Sequence, residues 1–328
     1  MNIEFLRKNT FKMAASATIS IIIANLLGVK FGVTAGIIAI LSIQDTKKEA
    51  LLVGGKRLIA ATIAVLLSFL LYIILGNNPL VFGLFLLIFI PITKKFKMEE
   101  GMVVGAVLST HLLTGSNINL SFIFNEEALT LIGIGIASIF NLYMPSLESK
   151  FNKNKEFIEE QYRNIIADMA KSLVTKAVPI NERKRFKKVK KVLEETRLLA
   201  YKINNNYLFK DGFYFIDYVE MRIKQFDTIK RMNSHFSRFS ITYDQTLIMS
   251  AFTENIANNI YADNDCVELL YKLNRLRAEY KEMELPTTRE EFENRAMLFQ
   301  FLNDLEDFLL IKKDFKRIHK NIKQSYGL

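Results

Sequence analysis

Apolar residues gather into long runs over the first half of the chain and disperse over the second, and this contrast organises the rest of the sequence. From Phe11 to Met144 apolar runs alternate with short charged joints, whereas from Lys150 onward charges recur every few residues. The pattern predicts two domains, 1–147 and 148–328, with composition changing between Pro145 and Lys153. The longest runs are Phe11 to Val29, Leu58 to Leu75 and Ala128 to Met144. Each approaches the roughly 20 residues that a helix needs to cross about 30 Å of hydrocarbon. Three shorter runs lie between them: Phe31 to Ile43, Leu80 to Ile92 and Gly101 to Thr114. Runs of that length also fit buried core helices or re-entrant segments, but their place among spans favours insertion.

In the second half, Phe186, Val189, Leu193, Thr196, Ala200 and Ile203 recur at the three- and four-residue spacing of an amphipathic helix. Helix starts are marked by Asn181, by Thr242-x-x-Gln245 and by Thr287-x-x-Glu290 after Pro286, the last two fitting a capping box. Asn204-Asn205-Asn206 and Asp211-Gly212 read as breaks. No strand pattern competes. The expected fold is all-α: a polytopic membrane bundle of about six spans, followed by a cytoplasmic antiparallel bundle of five or six helices.

Charge gives the arrangement a direction. Six crossings return both termini to one side, and that side collects Arg7, Lys8 and Lys12, then Lys47, Lys48, Lys56 and Arg57, then Lys94, Lys95 and Lys97, then the basic second half. The other side holds only Lys30, and its joints Gly76 to Pro79 and Gly115 to Glu127 contain no Lys or Arg. The positive-inside rule then places both termini in the cytoplasm and the chain in the cytoplasmic membrane. The net charge of +10 follows in part from this bias, so it is weak evidence for a polyanionic partner. Arg7 and Lys8 before an apolar run superficially fit a signal peptide, but no small-residue cleavage site follows, and a retained first span is expected.

The short second and fifth runs match when laid side by side: GVTAGIIAILS from Gly32 to Ser42, and GMVVGAVLSTH from Gly101 to His111. Gly32 and Gly36 fall on Gly101 and Gly105. With three crossings between them, the halves would run in opposite senses, which is the 3+3 inverted-repeat plan of many secondary transporters. Small residues at four-residue spacing also serve plain close packing of helices in lipid, so both readings stay open.

Polar groups at membrane depth are costly unless they face protein or water, so Ser109, Thr110 and His111 in the fifth run point to a pathway. His111 is a candidate for proton coupling or anion contact, and an interhelical hydrogen bond is the plainer alternative. Near the cytoplasmic interface, Asp45 and Arg57 could form an ion pair. Alternatively, Arg57 could offer its fork of donors to an acidic substrate.

The stretch GIIAILSIQDTKKEALLVGGKRLIAATIA, Gly36 to Ala64, resembles the N-terminal membrane domain of bacterial aromatic acid exporters, relatives of the fusaric-acid-resistance transporters. In that family a short span ends in a polar Gln-x-Thr-type segment and the next begins with Gly and Arg, and the matching positions are Gln44, Thr46, Gly55 and Arg57. The layout also resembles the family's type with a dedicated C-terminal domain, so the resemblance covers nearly the whole chain. It implies efflux of small aromatic carboxylates. With the polar residues of the fifth run added, the expected substrate site comprises Gln44, Thr46, Arg57, Ser109, Thr110 and His111, between the second and fifth spans.

Other features narrow the partners. The basic run Arg183 to Lys191 fits a solvated helix face or contact with the anionic inner leaflet, and nucleic acid is disfavoured. The aromatic stretch Tyr207 to Phe215 fits core packing or an aromatic pocket. The single Cys266 excludes an internal disulfide and a multi-cysteine metal site, and His111, His235 and His319 are too scattered for a metal cluster. With no phosphate-binding loop, zinc-protease or nucleophile motif, neither an enzyme nor a cofactor is expected. Six short spans make a thin wall around a pathway, so a homo-oligomer is expected. A membrane-anchored sensor or scaffold, whose helical bundle binds a partner, is the alternative function.

Overall fold

In the computed structural model the chain is all-α, with twelve α-helices and one 3-10 turn, and no strand among the described residues. Those are residues 3–115, 119–143, 147–175, 182–208, 212–236 and 244–325. Internal contacts divide the chain into two compact units: Met1–Pro145 with Asn205–Lys210, and Ser146–Asn204 with Asp211–Leu328.

The first unit holds α1 (Ile3–Leu26), α2 (Gly32–Ser42), α3 (Lys47–Leu75), α4 (Pro79–Lys95), the 3-10 turn Glu99–Gly101, α5 (Met102–Thr114) and α6 (Leu120–Leu142). Capping sets the starts. The Thr46 hydroxyl accepts from the Glu49 amide, the Asn78 side chain accepts from the Leu80 and Val81 amides with Pro79 at the first helical position, and Asn119 accepts from Phe122. Two of these caps lie upstream of charges that the apolar pattern reads as joint. Lys47 to Arg57 therefore belong to α3, and Glu126 and Glu127 lie within α6 rather than in the joint Gly115 to Glu127. Among the described residues two helices, α3 and α6, are long and apolar enough to cross a membrane, and only 33% of the apolar window of each is buried. Exposed Leu66, Leu70 and Leu131 lie on them, which sets them apart from the mostly buried core helices of soluble proteins.

These two helices form the centre of the unit. α6 packs on α1, α2 and α3, while α3 packs on α4, α5 and α6; α1 also packs on α2, and α4 on α5. This list of main contacts is unchanged when α1, α2 and α3 are exchanged for α4, α5 and α6. The matched glycines do matching work. A Cβ at Gly36 would lie 2.7 Å from Ile21 of α1, and one at Gly105 would lie 2.5 Å from Phe89 of α4. Each short helix thus approaches its neighbour closely because it lacks a side chain there. The tightest backbone approach is at Gly133 of α6, where a Cβ would meet the Ala35 carbonyl oxygen of α2 at 2.7 Å.

The second unit contains α7 (Glu148–Thr175), α8 (Glu182–Asn206) but for its last two residues, α9 (Phe213–Phe236), α10 (Asp244–Asn258), α11 (Val267–Glu282) and α12 (Arg289–Ser325). α7 packs on α9 and α10, α12 on α9, α10 and α11. The core follows helical spacing, as in Ile158, Tyr162, Ile165 and Met169 of α7. α8 joins this core through Val189 and Leu193 and through the Asn154 to Thr196 hydrogen bond. It ends at Asn206, so the expected break falls directly after the Asn204 to Asn206 run, whose preceding Ile203 is buried. The start of α12 also differs by one residue. Thr288 accepts from the Glu291 amide, one position later than the expected pair, and the Glu291 carboxylate reaches back to the amide of Thr287, the residue before the cap, in a variant of the capping box. Asn181, Thr242 and Asp211 lie outside the described residues.

Charges are buried in this core with unequal provision. Glu159 accepts from Tyr218 (2.6 Å) and from Arg222, whose other nitrogens donate to Tyr218 and Gln225. Lys312 is only 2% exposed and donates to the Ala262 carbonyl at 2.9 Å, with the rings of Tyr218 and Phe315 within 6 Å. Burial, reinforced by Arg222 and Lys316, pulls its ammonium from the ordinary 10.5 down to about 7.

Two outcomes are expected. Gly133→Ala should destabilise the full chain by about 1–3 kcal/mol, because a backbone oxygen cannot yield as a side-chain tip can, whereas Gly135→Ala, which meets open space, should be close to neutral. Thermal unfolding in detergent, compared for the two variants, checks this. Because the folded chain disfavours the Lys312 proton, stability should rise with pH between about 7 and 10.5 and show no Lys312-linked change below about 7, where both states hold it. Unfolding midpoints of Lys312→Met should lose that rise; an unchanged slope would contradict it.

Candidate functional site

Two polar stations interrupt the apolar interior of the first unit. At the end of α2, Ser42 meets Arg57 of α3: the guanidinium Nη1 donates to the Ser42 hydroxyl at 2.7 Å, and Nε donates to the Glu100 carbonyl at 3.1 Å. Arg57 is 4% exposed, yet both hydrogen bonds go to uncharged oxygens. Gly101 allows this, since a Cβ there would lie 3.1 Å from the Arg57 Cα. Asn141 of α6 closes the end of α2 by donating to the Ser42 carbonyl and accepting from the Gln44 amide.

The second station joins α5, α6 and the start of α2. His111 Nδ1 and the Glu126 carboxylate lie 2.8 Å apart, and Glu126 is fully buried. The other ring nitrogen shares a hydrogen bond with the Thr34 hydroxyl at 3.2 Å. Phe31 stacks on the imidazole at 4.1 Å between centroids, and it does so from a left-handed backbone (φ 60) that is rare for a bulky side chain. Asn125 donates to the second oxygen of Glu126 and also exchanges hydrogen bonds with the Lys30 backbone. The neighbouring Glu127 is held by Thr62 through one oxygen, while its other oxygen is buried with no hydrogen-bond partner. Thr34 and Ser42, at the two stations, are both on α2, about 12 Å apart along its axis.

The stations are related. The residue offset that carries Gly32 to Gly101 and Gly36 to Gly105 also carries Ser42 to His111, Arg57 to Glu126 and Tyr72 to Asn141. Ser42 and Arg57 are 15 residues apart, as are His111 and Glu126. Tyr72 of α3 bonds Ser109 near the end of α5 at 3.1 Å, as Asn141 of α6 bonds the end of α2. A cation occupies one position and a carboxylate the equivalent one.

Among the six residues expected at a substrate site, Arg57 and His111 anchor the two stations. Ser109 lies beside the second through Tyr72, Gln44 and Thr46 lie in the α2–α3 joint, and the Thr110 hydroxyl turns back to its own helix at Val107. Asp45 accepts from Asn9. The apolar pattern did not single out Thr34, Phe31, Tyr72, Glu126 or Asn141. The one available signal for Glu126 was a pair of acidic residues opening an apolar run. In the second unit, the basic run Arg183 to Lys191 is largely exposed, with Arg185 paired to Asp168 and Lys188 over the Phe157 ring. Phe215 and Tyr214, from the aromatic stretch, pack on Phe151 and Phe315. Burial raises the Cys266 thiol to about 11, which disfavours the thiolate. No cluster of metal-ligating side chains occurs among the described residues.

Comparison with known proteins gives these stations a setting. Residues 5–144 match the family "Aromatic acid exporter family member 1", and residues 148–313 match the "Putative aromatic acid exporter C-terminal domain". The uncharacterized protein YqjA of Bacillus subtilis (strain 168) is 37% identical over 309 residues, covering 94% of this chain and 96% of the relative. A crystal structure of a "putative membrane protein from Clostridium difficile 630" aligns with a TM-score of 0.47 and 26% identity, covering 52% of this chain and 98% of that one. Matched along both its apolar and its charged half, and by a relative of nearly equal extent, the chain belongs to the aromatic acid exporter family.

Proposed function

We propose that the protein is a secondary-type exporter that moves small organic anions, aromatic carboxylates first among them, outward across the cytoplasmic membrane. Family membership supports a membrane transporter rather than an enzyme. The observation that carries the reading further is Arg57: a buried guanidinium whose hydrogen bonds go to neutral oxygens, with the Glu100 carboxylate acting on it through space and itself paired to Lys56, is a cation with capacity for an anion. Substrate enters from the cytoplasmic side past Gln44 and Thr46, and its carboxylate displaces the Ser42 hydroxyl from Arg57. His111 and Glu126, with Thr34, Ser109 and Thr110 nearby, form the opposite station. There a carboxylate repels the anion and an imidazole carries the exchanged proton.

The six apolar helices form the membrane domain in this reading, with α1 to α3 and α4 to α6 as inverted halves. Its support is the exchange symmetry of the helix contacts and the common offset of the two stations. In this reading both termini and the second unit lie in the cytoplasm, which the Lys and Arg distribution supports. Arg183 to Lys191 then lies where anionic lipid is available, and further copies of the chain complete the wall around the pathway.

Transport in liposomes tests the assignment of roles. Labelled benzoate or salicylate should show saturable movement, and Arg57→Lys should weaken it about tenfold, equivalent to about 1.4 kcal/mol, by removing the guanidinium fork. If no aromatic acid moves under any ion gradient, the exporter reading fails. Glu126→Gln should abolish the response to a pH gradient while substrate-for-substrate exchange persists. Loss of both together, or of neither, would remove His111 and Glu126 from the coupling role.

A further inference from the structure

Glu127 is a half-buried carboxyl that neither polar station uses. It lies on the outward stripe of α6 between Phe124 and Leu131, which are 74% and 56% exposed. Opposite it, Thr62 of α3 falls on a similar stripe, between exposed Ile59 and Leu66. Thr62 is near the middle of α3, about 20 Å from either end at roughly 1.5 Å per residue. The pair therefore occupies the seam between the two helices that are apolar enough to cross a membrane, at a depth where an ionised carboxylate is most costly.

The hydrogen bonds fit one protonation state. Thr62 Oγ1 lies 3.1 Å from the Leu58 carbonyl oxygen and 3.2 Å from Glu127 Oε2. Both are acceptors when Glu127 is ionised, and the hydroxyl has one hydrogen to give. One contact would then be empty, and with Oε1 buried and unpartnered the charge would have a single donor at most. With a proton on Oε2 both contacts are made. The acid donates to Thr62 Oγ1, and Thr62 donates to Leu58 four residues back, a bond that threonine hydroxyls readily form in helices. Oε1 is then a neutral carbonyl oxygen, whose burial costs far less than that of a charge.

The charged groups of the elements packed on α6 are engaged elsewhere. Glu126, next along the helix, turns to His111 and Asn125. Arg57, five residues before Thr62 on α3, is held by Ser42 and the Glu100 carbonyl. α2 has no titratable side chain, and Lys30 meets α6 through its backbone at Asn125. Lys12, the last charged residue of α1, adjoins Met13, which packs near Ala137, ten residues further along α6. We propose that Glu127 is a second proton-binding site of the membrane unit, a neutral carboxylic acid bonded to Thr62 and separate from the His111–Glu126 station. Release of the proton turns the Thr62 hydrogen from Leu58 to the carboxylate, which links ionisation of the site to the α3 backbone. The proposal rests on the exporter reading for the membrane placement of α3 and α6 and is independent of the cargo.

Infrared spectroscopy of the full chain in liposomes near neutral pH tests this. An exposed glutamate, with an ordinary pKa of about 4.3, is ionised under those conditions. A protonated-carboxyl carbonyl band that shifts in D2O should be present, lost in Glu127→Gln and retained in Glu126→Gln. Thr62→Val, which removes the acceptor and keeps both glutamates, should move the band to higher frequency, and it assigns the band should Glu127→Gln fail to fold. Absence of the band from the unaltered chain overturns the site. So does a band that survives Glu127→Gln, one that Glu126→Gln alone removes, or one that Thr62→Val leaves unmoved. The measurement reads the carboxyl without transport: the band is expected even if no aromatic acid moves, and its absence leaves the exporter reading standing.

Discussion

A charge surrounded by apolar helices must find its partner within the protein, and the first unit is arranged around that requirement. Arg57 and Glu126 sit on the two central helices, and each finds its partner on a short one: Ser42 at the end of α2, His111 towards the end of α5. The short helices reach because glycine lets them lie almost in contact with their neighbours. Were α2 or α5 displaced by the width of a methyl group, a buried charge would lose its hydrogen bond. Tight packing and polar satisfaction are therefore one constraint here.

The second unit meets a similar problem differently. Glu159 and Arg222 neutralise each other inside a network that also engages Tyr218 and Gln225. Among the described residues Lys312 contacts a carbonyl and two ring faces rather than a carboxylate, and burial lowers its ammonium to about 7 against the attraction of Glu159. One buried charge is paired in place, and the other group holds its proton less tightly than an exposed lysine does.

Much of this architecture is legible in the amino-acid pattern because it depends on local periodicity. The apolar runs, the glycine pairs at 32/36 and 101/105, and the polar signature Gln44, Thr46, Gly55 and Arg57 are all short-range features. What the pattern missed depends on separation. Glu126 reads as the edge of a loop because acidic residues beside an apolar run usually mark one, and only the Asn119 cap shows that the helix has already begun. That His111 faces Glu126 follows from how α5 and α6 pack, and no run of residues encodes it. The shift of the α12 cap from Thr287 to Thr288 is of the smaller kind, since adjacent threonines satisfy the same motif and the choice between them is made by geometry.

Thr34 gives the His111 station a property that belongs to no single residue. A hydroxyl can both give and take a hydrogen bond, and the nitrogen it faces is a donor or an acceptor according to where the imidazole proton sits. With the proton on Nδ1, towards Glu126, Thr34 donates to the bare Nε2. With both nitrogens protonated, Thr34 must accept, and its own hydrogen has to swing to another oxygen. The Phe31 carbonyl, three residues back and already accepting from the Thr34 amide, is one backbone oxygen of the kind that threonine hydroxyls use in helices. The Thr34 hydroxyl is therefore a rotor whose orientation follows whether Nε2 carries a hydrogen, and it sits in the first turn of the helix whose other end holds Arg57.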